Sequence, residues 1–313
     1  MYETLKPHRP EFSTLRDYLF FFAGQFRCRR NFLQKKLFIR WLIQELKLNG
    51  YPVIYDRIPY HGIKTSVILA GELKTCKKVI ICALDTPLRA LNKNYQFYPF
   101  DEQKNKTQEK VEILLSGILL SSILIVTFLL YFVWNHQTGW SLILWMMLGM
   151  VIYQLIIHNK NNFNKSSCSL ALLMYLSKIH SGYGLIFIDH NAESNLGLQS
   201  LYAKYKSFLR TKEVCYMDCI ASGKTLIFAR TSQCKFPLKP PSQLEGVEKI
   251  YNNPDAYPSY FQIDDQLQIM ITGMIDNDQI IGDPIRNNQD RKADIKRLEQ
   301  IVQWLADNSC TFR

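Results

Sequence analysis

The chain has 313 residues, with 38 Lys+Arg against 27 Asp+Glu, a formal net charge of +11 and a pI near 9.2. Hydrophobic residues make up 47% and charged residues 21%, which excludes a disordered tail, a collagen-like fibre and a low-complexity linker. The length allows one large domain or two small ones, and a mean hydropathy of −0.11 makes any membrane part a minority of the chain.

The first fifty residues hold ten Lys/Arg against four Asp/Glu, more than half of the net charge. No zinc-finger spacing, RNP motif or helix-turn-helix pattern accompanies them, so a nucleic-acid partner is not expected. Within this segment Tyr18–Phe26 is apolar but too short for a signal peptide. Asn31–Leu48 carries Leu33, Leu37, Leu42 and Leu46 near helical spacing and ends at Gly50, which predicts an amphipathic helix. Two short apolar runs, Ser66–Ala70 and Val79–Ala83, read as strands.

Next come two uncharged stretches, Ile113–Trp134 and Trp140–Ile157. At about 1.5 Å per residue they reach about 33 and 27 Å, which predicts a transmembrane hairpin. Tyr131, Trp134 and Trp140 sit at its short loop, where amphipathic rings favour the headgroup zone. The loop has no Lys or Arg, whereas Lys104, Lys106 and Lys110 precede the hairpin and Lys160 and Lys165 follow it. The positive-inside rule then places the soluble part and both termini in the cytoplasm, with two spans. The first fifty residues would lie beside anionic headgroups on that side.

Beyond the hairpin the chain predicts a helix at Ser167–Ile179, a strand at Gly184–Ile188 and a helix near Leu198–Leu209. Strands at Val214–Met217 and Thr225–Ala229 follow, and a helix near Lys292–Ala306 closes the chain. Strands alternating with helices predict an α/β layered fold with a parallel or mixed sheet. The expected organisation is one domain in two parts, 1–103 and 164–313, interrupted by an insertion at 104–163. Among the eight cysteines the closest pair, Cys215 and Cys219, lacks a second pair to complete a zinc site, so free thiols in a reducing compartment are expected. Ser222-Gly223-Lys224 reads as a turn rather than a phosphate loop, and Lys235, Pro237, Lys239, Pro240 and Pro241 as a solvated loop.

The order of these segments resembles the family-28 zinc aminopeptidases. Gly50-Tyr51 looks like the family's "ELKKLGY" helix end, and VIICALDT (79–86) is similar to "VILGAHxDT". NKSSCSLALLMYLSKI (164–179) resembles "DNASGVAALLELAR", and LIFIDHNAESNLG (185–197) resembles "FVFFDGEExGLLG". VCYMDCIASGKTLIF (214–228) resembles "VINLDMIGxGxxLYL", and Gly282-Asp283-Pro284 falls where the family has "HTPxDTxDKV". The resemblance implies a three-layer α/β/α sandwich with a mixed sheet, and two zinc ions held by two His, a bridging Asp, a Glu and a further Asp. A second Glu would act as general base on the metal-bound water.

Residue by residue, the family's chemistry carries over poorly. The first His position is Ala83, and the Asp that orients it is kept as Asp85. The bridging Asp position is Asn164, the general-base position is Asn191 and the ligand Glu position is Ala192, with Glu193 one residue away. The late Asp is kept as Asp218, and the last His position is Gly282 or Asp283. None of the six histidines (His8, His61, His136, His158, His180, His190) falls on a ligand position. The expectation is a pseudo-peptidase without a cofactor, with Asp85 and Asp218 as strand-end residues bonding nearby backbone. A magnesium site of Asp85, Asp218 and Asp283, and a nucleophilic role for Cys168 or Cys219, are weaker readings.

The insertion lies between Asp85 and Asn164, in the family's active-site rim. The lipid bilayer is one expected partner, and the former cleft would dock a membrane protein or a lipid-proximal peptide, an extended one by strand addition. The alternatives are a scaffold that contacts its partners through the hairpin alone, and an active membrane-tethered zinc aminopeptidase with rearranged ligands.

Overall fold

A computed structural model describes residues 12–134, 139–159, 161–179, 182–235, 238, 244, 246–277, 279–283, 285–286 and 290–308. His8, His136, His180, Lys160, Pro237, Lys239, Pro240, Pro241, Pro284 and Cys310 lie outside them, as do the side chains of Trp134 and Trp140.

The chain opens with α1 (Leu15–Phe20), where Thr14 and Asp17 form a capping box, and α2 (Phe32–Leu48), where the Asn31 side chain accepts from Gln34 N–H. Strands β1 (Val53–Tyr60) and β2 (Ile63–Ala70) form a hairpin on a two-residue turn. His61 and Gly62 both have positive φ (46° and 76°), the geometry that matches the twist of paired strands. Then come β3 (Lys78–Ala83), α3 (Glu102–Trp134) and α4 (Gly139–Ile157). The second part contributes α5 (Cys168–Ile179), β4 (Gly184–Ile188), α6 (Leu196–Leu209), β5 (Glu213–Met217) and β6 (Thr225–Thr231). It ends with β7 (Gly246–Tyr251), α7 (Ser259–Ile263), β8 (Leu267–Asp276), β9 (Gln279–Gly282) and α8 (Ile295–Asp307).

The strands form one nine-stranded mixed sheet in the order β1-β2-β4-β3-β5-β8-β6-β7, with β9 on β8. Its middle is parallel: Ile81 lies between Ile186 of β4 and Tyr216 of β5. Strands before and after the insertion alternate in this sheet, so neither part holds a complete sheet by itself. The two-residue period sorts their side chains between two layers. Ile80, Cys82, Leu185 and Phe187 face α1, α2, α5 and α8, while Val79, Ile81, Ile186 and Ile188 face α6 and α7. The expected α/β fold with helices flanking a mixed sheet is therefore present, and the sequence reading passed over α1, β1, β7, β8, β9 and α7.

α3 and α4 run side by side in opposite directions, with Ser116 hydrogen-bonded to Tyr153 and Gly149 against Thr127. A Cβ at Gly149 would lie 3.1 Å from the Thr127 side chain, so glycine sets the close approach. Among the described residues one helix, Glu102–Val133, is long and apolar enough to cross a membrane, and the apolar part of α4, Leu142–Ile157, is shorter. The outward side chains Leu114, Ile125, Val133 and Leu144 are exposed.

Three basic residues are not where charge counting put them. Arg29 is fully buried; it donates to the carbonyls of Leu84, Phe22 and Phe26 and to Ser166 Oγ. Lys35 pairs with Asp189 at 2.6 Å. Lys165, counted as a flank of the hairpin, is buried beside Asp218 and supplies no interfacial charge.

Candidate functional site

The carboxyl ends of β3, β4 and β5 lie side by side, and the loops leaving them, 84–101, 189–195 and 218–224, meet at one place. This is where open α/β sheets place their ligand sites. Asp85 follows β3 and accepts hydrogen bonds from Asn191 N–H (3.2 Å) and Ala192 N–H (3.3 Å). Asn191 donates through Nδ2 to Tyr216 OH (2.7 Å) and accepts from Leu198 N–H (3.0 Å). Gly197 lets α6 start here, because a Cβ would lie 2.1 Å from the Asp189 carbonyl oxygen. Burial and the neighbouring Asp189 push the Asp85 carboxyl up to about 6, against the pull of Lys35 and the two N–H groups. Asp85 thus bonds backbone just beyond the end of its strand.

Asp218 behaves differently. A π-helical turn, Phe163–Ser167, precedes α5 and brings the consecutive residues Asn164 and Lys165 into the buried site with different partners. Asn164 Oδ1 accepts from Ala221 N–H (2.9 Å) and Ser222 N–H (3.1 Å), and its own N–H donates to Asp290 (2.7 Å). The Lys165 ammonium lies 2.5 Å from Asp218 Oδ2 and 4.3 Å from the centre of the Phe97 ring. Both partners of this ion pair are nearly inaccessible, at 3% and 2% side-chain exposure. Burial disfavours the lysine charge, but Asp218, with Cys219 and Tyr260 nearby, outweighs it and holds the ammonium above the ordinary lysine range. Sequence reading missed Lys165 because its partner is 53 positions away.

Glu193 is also engaged. Its carboxylate accepts from Leu88 N–H (2.5 Å), pairs with Arg30 (2.8 Å) and lies 3.8 Å from Arg286. Burial opposes its ionisation, yet Arg286 and Arg30 hold it below the usual carboxylate range. Arg286, buried and also overlooked in the sequence, donates to Leu88 O (2.9 Å) and Tyr95 OH (3.1 Å) and pairs with Glu109 of α3. The first turns of α3 are thereby clamped to the sheet end. Glu112 adds two bonds, from Leu91 N–H (2.7 Å) and Asn92 N–H (2.9 Å). Between these elements lies a cleft of about 490 Å3, with Lys165, Asn191, Glu193 and Tyr260 on the sheet side and α3 from Glu102 to Ile113 on the other.

The residues present do not fit two zinc ions. Ala83 and Ala192 have no donor atom, the oxygen of Asn164 is spent on two backbone N–H groups, and Asp218 already carries a cation. The three carboxylates of the magnesium reading have other surroundings. Asp85 bonds backbone, Asp218 bonds Lys165, and Asp283 lies beside Gly223 rather than in the cleft lining. Gly282, the other position for the last His, donates its N–H to Phe97 O at 2.8 Å. The thiols of Cys168 and Cys219 are buried and pushed well above the ordinary range, first by burial, which leaves neither as an activated nucleophile.

Asp290 is the remaining unusual group. Burial pushes it up to about 8 against the hydrogen bond from Asn164 N–H, and its Oδ2 has no hydrogen-bond partner among the described residues. The unfolded chain loses this proton near the ordinary value of 3.8, while the folded chain keeps it until about 8. Stability from this group therefore falls as pH rises between those values. Asp290→Asn is expected to be more stable than the parent at pH 8, by an amount on the order of a few kcal/mol, and to converge with it at pH 4. Thermal melts of both proteins across that range measure the difference.

No family sequence model and no curated protein sequence matches the chain. Solved structures do. A leucine aminopeptidase precursor from Bacteroides thetaiotaomicron matches with TM-score 0.53 and 12% identity, covering 97% of this chain and 99% of that one. A glutaminyl cyclase from the same organism, solved with N-acetylhistamine, matches with TM-score 0.52 and 12% identity over 97% and 99%. A Zn-dependent exopeptidase from Parabacteroides distasonis matches with TM-score 0.50 and 14% identity over 95% and 98%. The chain thus has a zinc-aminopeptidase-like fold, as the motif order implied.

Proposed function

We propose that this chain is a membrane-anchored, catalytically inactive relative of the zinc exopeptidases, whose former active-site cleft docks a membrane protein or a lipid-proximal peptide at the cytoplasmic face. One observation carries the loss of catalysis: the Lys165 ammonium, paired with Asp218 at 2.5 Å, takes up the negative charge that Asp218 would otherwise offer to a metal. The anchor is α3, whose apolar turns from Ile113 onward cross the bilayer, with α4 packed along it as the returning arm. Arg89 N–H bonds Ile157 O at the end of α4, and Glu112 holds the same loop near the base of α3. Both ends of the helix pair therefore leave from the carboxyl ends of the central strands.

Elemental analysis of the full-length chain purified in mild detergent tests the inactive reading. The expected result is far less than one zinc per chain, with no hydrolysis of aminoacyl arylamides and no cyclisation of N-terminal glutamine. Two stoichiometric zinc ions with either activity would overturn it in favour of a working enzyme. Cross-linking from Tyr95 or Tyr260 to a co-purifying protein would support docking at the cleft. Cross-links confined to α3 and α4 would support a scaffold instead.

A further inference from the structure

The N-terminal half of α2 carries an apolar surface that the core does not use. Phe32 and Leu33 are 66% and 70% exposed, Leu37 is 60% exposed, and Phe20 at the end of α1 is 51% exposed. Basic side chains are interleaved with them: Lys36 lies over the Phe32 ring at 5.8 Å, Arg16 over the Phe20 ring at 5.4 Å, and Arg27 and Arg40 are exposed nearby in sequence. The opposite face of α2 is already spent, since Phe38, Leu42 and Leu46 are in the core. A short helical surface with bulky apolar groups among cations is the composition of a segment that sits in the headgroup region of a bilayer.

Its place in the fold gives it an occupant. α2 starts near the carboxyl ends of the central strands, where Arg30 meets Glu193 and Lys35 meets Asp189. It ends near the opposite edge, where Gly71 N–H bonds Pro52 O and Val53 pairs with Ala70. The membrane-proximal ends of α3 and α4 belong to the first edge. Cys28 donates to Asn159 O at 3.3 Å, Asn162 donates to Arg27 O, and the rings of Phe20 and Phe163 are 6.2 Å apart. The exposed apolar side chains of α2 are concentrated at that edge, with Leu48 the remaining one at the far end. The surface is thus continuous with the level at which the apolar helices emerge.

We infer that Phe20 and the first two turns of α2 form a second membrane contact: Phe32, Leu33 and Leu37 enter the interface of an anionic bilayer while Arg27, Lys36 and Arg40 pair with lipid phosphates and carboxylates. This rests on the reading of α3 as a membrane span. With the Arg286 clamp on α3, a second contact holds the cleft at a fixed angle to the membrane.

The test uses the full chain in a Cys28→Ser, Cys310→Ser background, reconstituted into phosphatidylcholine vesicles with or without about 30% phosphatidylserine. An environment-sensitive fluorophore is attached at Leu33→Cys, Leu48→Cys or Ile125→Cys, and nitroxide lipids act as quenchers. In anionic vesicles the label at 33 is expected to be quenched by headgroup nitroxide about twofold or more beyond the label at 48. Neutral vesicles, or Arg27→Gln with Lys36→Gln and Arg40→Gln, are expected to remove the difference. Equal quenching at 33 and 48 in anionic vesicles, with the label at 125 quenched by acyl-chain nitroxide, overturns the second contact and leaves the span standing. Absence of quenching at 125 overturns the span and this inference with it.

Discussion

Lys165→Met is expected to destabilise the folded chain by about 3–5 kcal/mol, the effect of stranding one member of a buried ion pair. Methionine fills a similar volume beside Phe97, so lost packing contributes little; the effect comes from the Asp218 carboxylate, which is 2% exposed and left with the Cys219 thiol at 3.3 Å. The double substitution Lys165→Met with Asp218→Asn removes both charges and is expected to recover most of the loss, because well-packed neutral replacements of buried pairs are close to neutral. Urea or thermal unfolding of the single and double variants in detergent gives the coupling between the two positions. A single variant as stable as the parent would show that Asp218 does not depend on Lys165 and would remove the main support for the inactive reading.

The second large effect concerns α3. Arginine at both Ile125 and Val126, exposed neighbours near the centre of the apolar stretch, is expected to oppose insertion by about 5–7 kcal/mol, at about 2.5–3.5 kcal/mol each. The parent chain should remain in the membrane pellet after alkaline carbonate extraction, and the double arginine variant should appear in the supernatant or be degraded. Retention of both in the pellet would mean that another segment anchors the chain. Full release of the parent would end the membrane reading.

Much of the fold was legible because its signals are local. The strand at Gly184–Ile188 is an unbroken apolar run, which is what a strand covered on both faces needs, and the structure returns the same bounds. The helix at α2 was placed within one residue, since its apolar spacing and the glycine after it mark it; Asn31, its first residue in that reading, is the cap. β1 and β7 escaped because they are edge strands in which Asp56, Arg57, Glu248 and Lys249 interrupt the apolar run. β8 is buried along its first seven residues, but Gln268, Thr272 and Gly273 break its apolar run.

The site divided along a similar line. The alanines at 83 and 192 and the asparagines at 164 and 191 are facts of composition at motif positions, and no folding was needed to see that ligands are missing there. Charge counting, by contrast, treated Arg29, Lys35 and Lys165 as solvated cations, and only tertiary structure assigned them to Leu84 and Ser166, to Asp189 and to Asp218. The reason is physical. Sequence fixes which groups a chain carries and the local period of its apolar residues. A buried charge is decided by groups brought within hydrogen-bond reach from tens of residues away, since the cost of desolvation is met or not met there. For this protein the sequence by itself determined the apolar helix pair, the order of the strands β2 to β6 with the helices between them, and the absent metal-binding side chains. Tertiary structure decided that a lysine pairs with the remaining aspartate, that Arg286 ties α3 to the cleft, and that the outer face of α2 lies at the edge from which α3 and α4 depart.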